Sequence, residues 1–297
     1  MIYEIYHKSA FTYQSVVTFS HNIARLKPRN TPFQRLLDFS MEVEPVGYEK
    51  NFFVDIFGNT NNHLLIRKGH QSLSVIGRSR VELFPKAIDE HLRLVKENTI
   101  TYAKALELLA PVEREELLAK LFVCDSELIP KASPAIEAYA RLSFEPHRNI
   151  FEALIEFMGR MYADFAFIVG VSDVSTSVDE VFESKKGVCQ DFAHFAIAAL
   201  RSIGLPARYM SGYIETVAPK GEEKLFGVDA SHAWVSLFIP TVGWIDFDPT
   251  NNIIPHSQHI LLGYGRDYND VAPLKGVVLS SGASQLSISV DVRRSMN

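Results

Sequence analysis

The first hundred residues carry short apolar runs rich in Val, Ile, Phe and Tyr, a pattern typical of β-strands. It predicts strands at residues 2–7, 39–43, 52–57, 63–66 and 73–81. Gly and Asn at 58–62 favour a hairpin, because both tolerate the positive φ of tight turns. We therefore expect residues 1–100 to form an N-terminal antiparallel β-rich domain, a small sandwich or barrel. Near the C-terminus, the alternation at 285–290 predicts an edge strand.

Beyond residue 100 the apolar period becomes helical, so that residues 101–297 are predicted to form a helical segment followed by a second core. Helices are predicted at residues 111–121, from Pro134 onward and at 149–161. The apolar stripe of the last helix is interpreted as core packing rather than a cofactor site. Ser177 and Glu180 have the spacing of a capping box, and Gly187 is expected to end that short helix in a left-handed conformation.

A further helix is predicted downstream of Cys189, because apolar residues recur three and four apart. These residues are Phe192, Phe195, Ala196, Ala199, Leu200 and Ile203. Cys189 then lies at or just before the first turn, where unpaired N–H groups and the helix dipole favour a thiolate. An isolated cysteine is more often a small buried apolar residue. A catalytic interpretation therefore requires partners.

His232 and Asp248 are the candidate partners, since a cysteine nucleophile needs a base and the base needs an orienting acceptor. They lie on two predicted strands, 232–239 and 244–248, joined by a hairpin. Because side chains alternate along strands, the two share a face only if Ile239 pairs with Gly243 or Ile245. Asp246 lies two residues from Asp248 and therefore shares its face of the strand, so Asp246 is the rival acid for orienting the base.

Three ordered segments carry a resemblance to a known family. They are Gly-x-Cys-x-x-Phe/Ala at 187–193, His-Ala-Trp-Val at 232–235, and Gly-Trp-x-x-x-Asp-Pro-Thr-Asn at 243–251. With them the chain resembles the transglutaminase-like superfamily, in particular its bacterial members described as candidate cysteine proteases. The N-terminal β-rich part and the segment at 265–276 are also similar to these bacterial proteins, so the resemblance covers almost the whole chain.

The resemblance implies an α+β fold, in which the N-terminal antiparallel β domain precedes a papain-like core with the cysteine helix packed on an antiparallel sheet. It implies Cys189 as nucleophile, His232 as general base and acid, and Asp248 as orienting acid. It also favours Asp248 over Asp246, because the family's Asp-Pro-Thr matches the former. Relatives of the animal enzymes carry Gln directly before the cysteine, and Val188 stands there in this chain. That departure argues against protein crosslinking.

The predicted function is acyl transfer through a thioester on Cys189, with hydrolysis of an amide or peptide bond. The alternatives are a protein transglutaminase using an amine acceptor, and a non-catalytic binding module on the same fold. The β-rich half acting on a partner chain is a further possibility. An arylamine acetyltransferase-like reaction lacks its Arg-Gly-Gly-x-Cys pattern. Hydrolysis and crosslinking share the acyl-enzyme and differ in water access.

Several neighbouring residues keep open interpretations at this point. The Cys189 N–H is expected to stabilise the oxyanion, and Gln190 and Tyr162 are candidates for the second donor by position only. Asp191 either caps the cysteine helix or anchors a loop. His194 either lines the cleft or is structural, and we favour the structural role. The charged loop at 219–224 is expected to border the substrate cleft.

Composition limits the other classes of function. The 297 residues are 47% hydrophobic with a formal charge of -5 and no basic stripe, so nucleic acid is not an expected partner. No segment reaches the roughly 20 apolar residues of a membrane helix, and the N-terminus shows no secretory signal. The two cysteines predict a reducing, cytoplasmic location without a thiolate zinc site. No cofactor or metal is predicted, and the expected partner is a protein or peptide substrate.

Overall fold

The computed structural model describes residues 1–110, 114–216 and 231–295. The strands are β1 (Ile2–Val17), β2 (Phe19–Ala24), β3 (Gln34–Glu44), β4 (Glu49–Val54), β5 (Thr60–Ile66), β6 (His70–Leu83), β7 (Ala166–Phe167), β8 (Lys186–Gly187), β9 (Ala207–Ile214), β10 (Ser231–Ile239), β11 (Gly243–Phe247), β12 (His259–Gly265), β13 (Leu274–Leu279) and β14 (Ser284–Arg294). The helices are α1 (Pro85–Glu97), α2 (Tyr102–Leu109), α3 (Arg114–Lys120), α4 (Pro134–Arg141), α5 (Ile150–Asp164), α6 (Val178–Ser184), α7 (Cys189–Ser202) and α8 (Tyr268–Val271). The predicted helix start at 111–113 and the charged loop at 219–224 lie outside the described residues.

Two four-stranded antiparallel sheets form the N-terminal part, in the orders β14-β1-β6-β3 and β13-β2-β5-β4. Inward side chains of both sheets, among them Tyr13, Leu64 and Leu73, meet in one apolar core. The expected antiparallel β-rich region is confirmed, and each predicted strand overlaps an observed one. The prediction missed β2, because its buried positions are Ser20, Asn22 and Ala24 and the strand therefore lacks an apolar alternation.

The C-terminal strands complete both of these sheets. β14 pairs with β1 and β13 pairs with β2, each antiparallel and at a sheet edge. The predicted edge strand at 285–290 is therefore confirmed. The division of the chain at residue 100 stays a prediction, to which the structure adds that the tail returns to the N-terminal sheets.

A third antiparallel sheet, in the order β11-β10-β9-β12, packs against α7. Helices α4 and α6 contact α7 from its other sides, so every residue from 191 to 201 is buried. The sequence pattern predicted one buried face, whereas the helix is central. Its polar residues are satisfied internally; Arg201, for example, donates to the backbone carbonyls of Phe122 and Ala207. The α+β class and the helix-on-sheet core are confirmed.

The short helix α6 precedes α7 in the chain, and four residues separate its end from Cys189. Its capping box is present: the Glu180 N–H donates to Ser177 Oγ at 3.3 Å, and the Ser177 N–H donates to Glu180 Oε2 at 2.8 Å. The prediction for its end was wrong, because Lys185 adopts the left-handed conformation with φ of 55°. Gly187 serves a different purpose. A Cβ atom there would lie 2.8 Å from Oδ2 of Asp191, so a larger residue would displace that carboxylate.

Within residues 1–110, 114–216 and 231–295, none of the helices is both long and apolar enough to cross a bilayer.

Candidate active site

Cys189 is the first residue of α7, and its side chain is partly exposed. The preceding residue, Val188, has no side-chain acceptor for the N–H groups of the first turn. Asp191 instead accepts a hydrogen bond from the Val188 N–H at 2.7 Å, and a second from the Ser172 hydroxyl. Asp191 therefore caps the start of the cysteine helix, which is the first of the two roles considered for it from the sequence. The thiol is held at the positive end of the helix dipole.

The hairpin of β10 and β11 brings His232 and Asp248 together. Ile239 pairs with Gly243, which is the register that places both side chains on one face. The Nε2 atom of His232 lies 2.7 Å from Oδ2 of Asp248. Because an ionised carboxylate only accepts hydrogen bonds, this contact fixes the proton of the imidazole on Nε2.

Asp248 is fully buried and accepts hydrogen bonds from several groups besides His232. Oδ2 also accepts from His259 Nε2 at 3.0 Å and from Asn251 Nδ2 at 2.7 Å. Oδ1 accepts from the backbone N–H of Thr250 at 3.0 Å and of Asn251 at 3.2 Å. Burial alone would raise the pKa of Asp248, but the hydrogen bonds from the two histidines lower it below its usual value. The acid is thus held ionised inside the protein.

The Cys189 thiol lies within hydrogen-bonding reach of the His232 side chain and helps to raise the pKa of the imidazole. Since Asp248 occupies Nε2, Nδ1 is the nitrogen left for the sulfur. Burial on its own lowers the pKa of His232, but the hydrogen bonds to Asp248 and Cys189 outweigh it and raise that pKa to about 9. The structure therefore brings Cys189, His232 and Asp248 together, with His232 bonded to Asp248 and Cys189 within reach of the other imidazole nitrogen.

The rival acid Asp246 has a different partner. Its Oδ2 accepts a hydrogen bond from Trp234 Nε1 at 2.9 Å. The Trp234 ring lies nearly parallel to the His232 imidazole, with centroids 6.1 Å apart. Asp246 thus orients the indole that lies beside the His232 imidazole, while Asp248 contacts that imidazole directly.

Gly212 on β9 makes room for this indole. A Cβ atom at Gly212 would lie 2.6 Å from Cη2 of Trp234 and would collide with the carbonyl oxygen of Ile260. Glycine at this position therefore allows the Trp234 ring to cross β9 toward His259, whose ring centroid is 5.2 Å away.

His194 is buried in the core and takes the structural role that we favoured. Its Nε2 accepts a hydrogen bond from the Tyr268 N–H at 3.2 Å, and its ring packs against Tyr209. Burial lowers the pKa of His194 to about 4, so the ring is neutral. It takes no part in the hydrogen-bond chain of Cys189.

The possible oxyanion donors differ in their surroundings. Tyr162 is 56% exposed on α5, and Gln190 occupies the second position of α7. Tyr209, which sequence reasoning missed, is a buried phenol near the thiol. Burial raises the pKa of Tyr209 well above its usual value, and the negative charge of a Cys189 thiolate adds to the effect. The identity of the second donor stays a prediction.

His259 is a second residue near the candidate site that the sequence did not indicate. It lies on β12, which pairs with β9 rather than with the hairpin that carries His232 and Asp248. One ligand atom from each of these three residues lies within 4.8 Å of the others, so they could hold a metal ion. The same atoms are engaged with one another as hydrogen-bond donors and acceptor. Metal binding would require both imidazoles to give up their Nε2 protons.

Comparisons with known proteins match both the N-terminal part and the core of the chain to known families. Residues 152–249 match the Transglutaminase-like superfamily core, and residues 3–82 match the Bacterial transglutaminase-like N-terminal region. A Mycobacterium tuberculosis protein named as uncharacterized protein Rv2569c is 34% identical over 298 residues, covering 98% of this chain and 92% of the relative. A Mycobacterium leprae protein, ML0607, is 31% identical over 295 residues, covering 98% of both chains.

Two further comparisons are with proteins whose names state an activity. A protein-glutamine gamma-glutamyltransferase from Pseudomonas aeruginosa is 35% identical over 78 residues, which are 26% of this chain and 12% of that protein. A crystal structure described as a candidate cysteine protease from Cytophaga hutchinsonii has a TM-score of 0.76 at 20% identity, covering 99% of this chain and 90% of that one. The latter shares the fold. From these matches and the fold, the chain belongs to the transglutaminase-like superfamily, a family of cysteine-dependent enzymes, among the bacterial members that carry its N-terminal region.

Proposed function

We propose that this chain is a cysteine-dependent acyl-transfer enzyme that hydrolyses amide or peptide bonds in a protein or peptide substrate. The observation that carries the proposal is the pairing of the Cys189 thiol with His232, whose second nitrogen is bound to the fully buried Asp248. This arrangement has the three roles of nucleophile, base and orienting acid within hydrogen-bond reach of one another.

In the first half-reaction, the Cys189 thiolate attacks the amide carbonyl and a carbon–sulfur bond forms. The negative charge moves to the carbonyl oxygen, where the Cys189 N–H at the start of α7 is placed to donate, a contact worth on the order of 3 kcal/mol in comparable sites. His232 then transfers its proton to the leaving nitrogen, and the carbon–nitrogen bond breaks. The raised pKa of about 9 supports this step, because the imidazole is protonated at neutral pH.

In the second half-reaction, neutral His232 removes a proton from water, which attacks the thioester carbonyl. The carbon–sulfur bond breaks, and the acid product and the thiolate are released. Asp248 keeps the imidazole in one orientation throughout and stabilises its charged form.

Protein crosslinking is the second candidate, because the Pseudomonas aeruginosa relative is named for glutamyl transfer. In that reaction an amine would replace water in the second half-reaction. Val188 before the nucleophile, in place of the Gln of the animal enzymes, argues against it. A non-catalytic binding module would form no acyl-enzyme at all.

An experiment that needs no natural substrate distinguishes these three functions. The protein is mixed with p-nitrophenyl acetate, nitrophenolate release is followed, and intact-protein mass spectrometry locates the acetyl group. We expect a burst of nitrophenolate and one acetyl group on Cys189, absent in Cys189→Ala and unchanged in Cys124→Ala. Cys124 is the matched control because it is the other free cysteine and is exposed.

Decay of the acetyl-enzyme then separates hydrolysis from transfer. Hydrolysis predicts that added methylamine at millimolar concentration leaves the decay rate and the acetate yield unchanged. Accelerated decay with formation of N-methylacetamide would favour the transferase. Equal labelling of Cys124 and Cys189 without a burst would overturn the enzymatic proposal.

A further inference from the structure

A cavity of about 560 Å³ lies beside the hairpin of β10 and β11. Residues 29–34, helix α1 and the sheet β11-β10-β9-β12 enclose it. Its volume is in the range of small-molecule sites. Trp234 and Trp244, the only two tryptophans of the chain, both line it. Cys189 does not line this cavity, so the proposed nucleophile does not account for it.

Two arginines project into this cavity over aromatic rings. The Arg208 guanidinium carbon lies 4.1 Å from the ring centroid of Trp244 and 3.8 Å from that of Tyr264. The Arg29 guanidinium carbon lies 4.0 Å from the same Tyr264 ring. These stacks cover guanidinium faces and hold the groups rigid. Arg29 Nη1 donates to the Phe57 carbonyl oxygen at 2.8 Å and to Asn59 Oδ1 at 3.0 Å, so Arg208 supplies the in-plane N–H groups that are left for a ligand.

The positive charge of Arg208 is not matched by an ion pair in the described part of the chain. The acidic group that acts most on the pKa of Arg208 is Asp246. Its carboxylate accepts a hydrogen bond from Trp234 and lies beyond ion-pair distance of the guanidinium. The Nε atoms of Arg208 and Arg29 are both buried without a hydrogen-bond partner. Burial lowers the pKa of Arg208 to about 10, and Asp246 opposes that shift. A guanidinium taken out of water in this way favours an anion.

The other titratable groups that line the cavity are histidines with partners of their own. His91 lies 3.0 Å from the Trp244 carbonyl oxygen, His256 lies 3.1 Å from the Asp89 carboxylate, and His259 donates to Asp248. The two arginines and Asp246 therefore leave one net positive charge on the cavity wall. The remaining wall is mostly aromatic and aliphatic.

We propose that this cavity binds a small organic monocarboxylate with an apolar, ring-sized body. The planar guanidinium of Arg208 matches the geometry of a carboxylate, and one carboxylate charge neutralises the net positive charge of the cavity wall. The rings of Trp234 and Trp244 contact the apolar part of the ligand. The cavity borders the candidate active site through His259 and Trp234, but neither Cys189 nor His232 lines it, so ligand binding there can be measured without turnover.

Tryptophan fluorescence tests the proposal, because all tryptophan emission of this chain arises at the cavity wall. Phenylacetate, cyclohexylacetate and 4-phenylbutanoate are titrated against the full chain, each beside its neutral amide. We expect a saturable change with at least one carboxylate and a Kd at least tenfold weaker for the matching amide. Saturation by no carboxylate, or equal affinity for acid and amide, overturns the proposal.

Variants locate the binding to the cavity. Arg208→Gln is expected to weaken carboxylate binding at least tenfold, and Arg208→Lys, which keeps the charge but loses the planar guanidinium, by less. Arg67→Gln is the control, because Arg67 is an exposed arginine outside the cavity whose side chain is 66% accessible. Circular dichroism establishes that each variant is folded. Unchanged affinity in folded Arg208→Gln contradicts the assignment, whereas Cys189→Ala is expected to bind like the wild type.

Discussion

The Nε2 atom of His232 lies 2.7 Å from Oδ2 of Asp248, a carboxylate with no exposure to solvent. This contact links the hairpin register to the chemistry, because it fixes the imidazole tautomer and leaves the other nitrogen for the Cys189 thiol. It also separates Asp248 from Asp246, which contacts Trp234 instead.

Asp248→Asn is expected to lower the rate of Cys189 acylation by p-nitrophenyl acetate on the order of a thousandfold. The amide removes the charge that keeps the pKa of His232 high, and burial then favours a neutral ring. Asp246→Asn is the matched control, with an expected loss below about tenfold, because Asp246 contacts the indole. Equal losses in the two variants would refute the assignment of Asp248.

His259 is expected to act as a positioning residue for Asp248. His259→Leu removes one N–H donor from the buried carboxylate and should lower the acylation rate about ten- to hundredfold. His259→Gln, which retains an N–H donor, should restore most of that rate at unchanged thermal stability. Failure of the glutamine variant to restore activity would show that the imidazole has another role.

Stability at acid pH should reflect two neutral buried histidines, His7 and His194. Burial lowers the pKa of each to about 4, below the unfolded value of 6.5. Between these two pKa values the unfolded chain binds a proton at each histidine and the folded chain does not. Each residue therefore contributes stability that is present above pH 6.5 and is lost as the pH falls toward 4. Between pH 7 and pH 5 the loss should be about 2 kcal/mol for each histidine.

Urea unfolding at the two pH values measures this loss. His194→Gln, whose side-chain oxygen can still accept from the Tyr268 N–H, should lose about 2 kcal/mol less than the wild type between pH 7 and pH 5. His147→Gln serves as control for an exposed histidine. The same pH dependence in the wild type and His194→Gln would mean that His194 is not held neutral.

Gly212→Ala is expected to destabilise the fold by roughly 2–3 kcal/mol. The added Cβ atom meets the Trp234 ring and the Ile260 carbonyl, and a backbone group in a sheet cannot move aside. Gly159→Ala provides the opposite control. It lies in the middle of α5 with open space around its Cβ position, and alanine there should stabilise by about 0.5–1 kcal/mol. Both changes are read from thermal or urea unfolding, and a neutral Gly212→Ala would show that the indole can repack.

Much of the site followed from the sequence because local periodicity determines it. The helical spacing after Cys189 predicted α7, and strand alternation gave the register condition that Ile239 and Gly243 meet. The relation of His259 to Asp248 could not be predicted in this way. It depends on β12 pairing with β9 rather than with β10 or β11, which is a long-range choice that no local pattern encodes.

Other features depended on packing rather than on pattern. Glycine is typical of helix ends, but Lys185 and not Gly187 takes the left-handed conformation after α6. Gly187 instead makes room for Asp191. The stacking of Arg208 between Trp244 and Tyr264 joins three separate strands. Such contacts arise only when the sheet is assembled.

The pairing of His232 with Cys189 is tested most directly by the iodoacetamide alkylation rate of each cysteine at pH 6, read by mass spectrometry. The account predicts that Cys189 reacts at least tenfold faster than the more exposed Cys124, because the thiolate is the nucleophile. It also predicts that His232→Ala removes this difference. Equal rates for the two cysteines in the native protein, or an unchanged ratio in folded His232→Ala, would contradict the account.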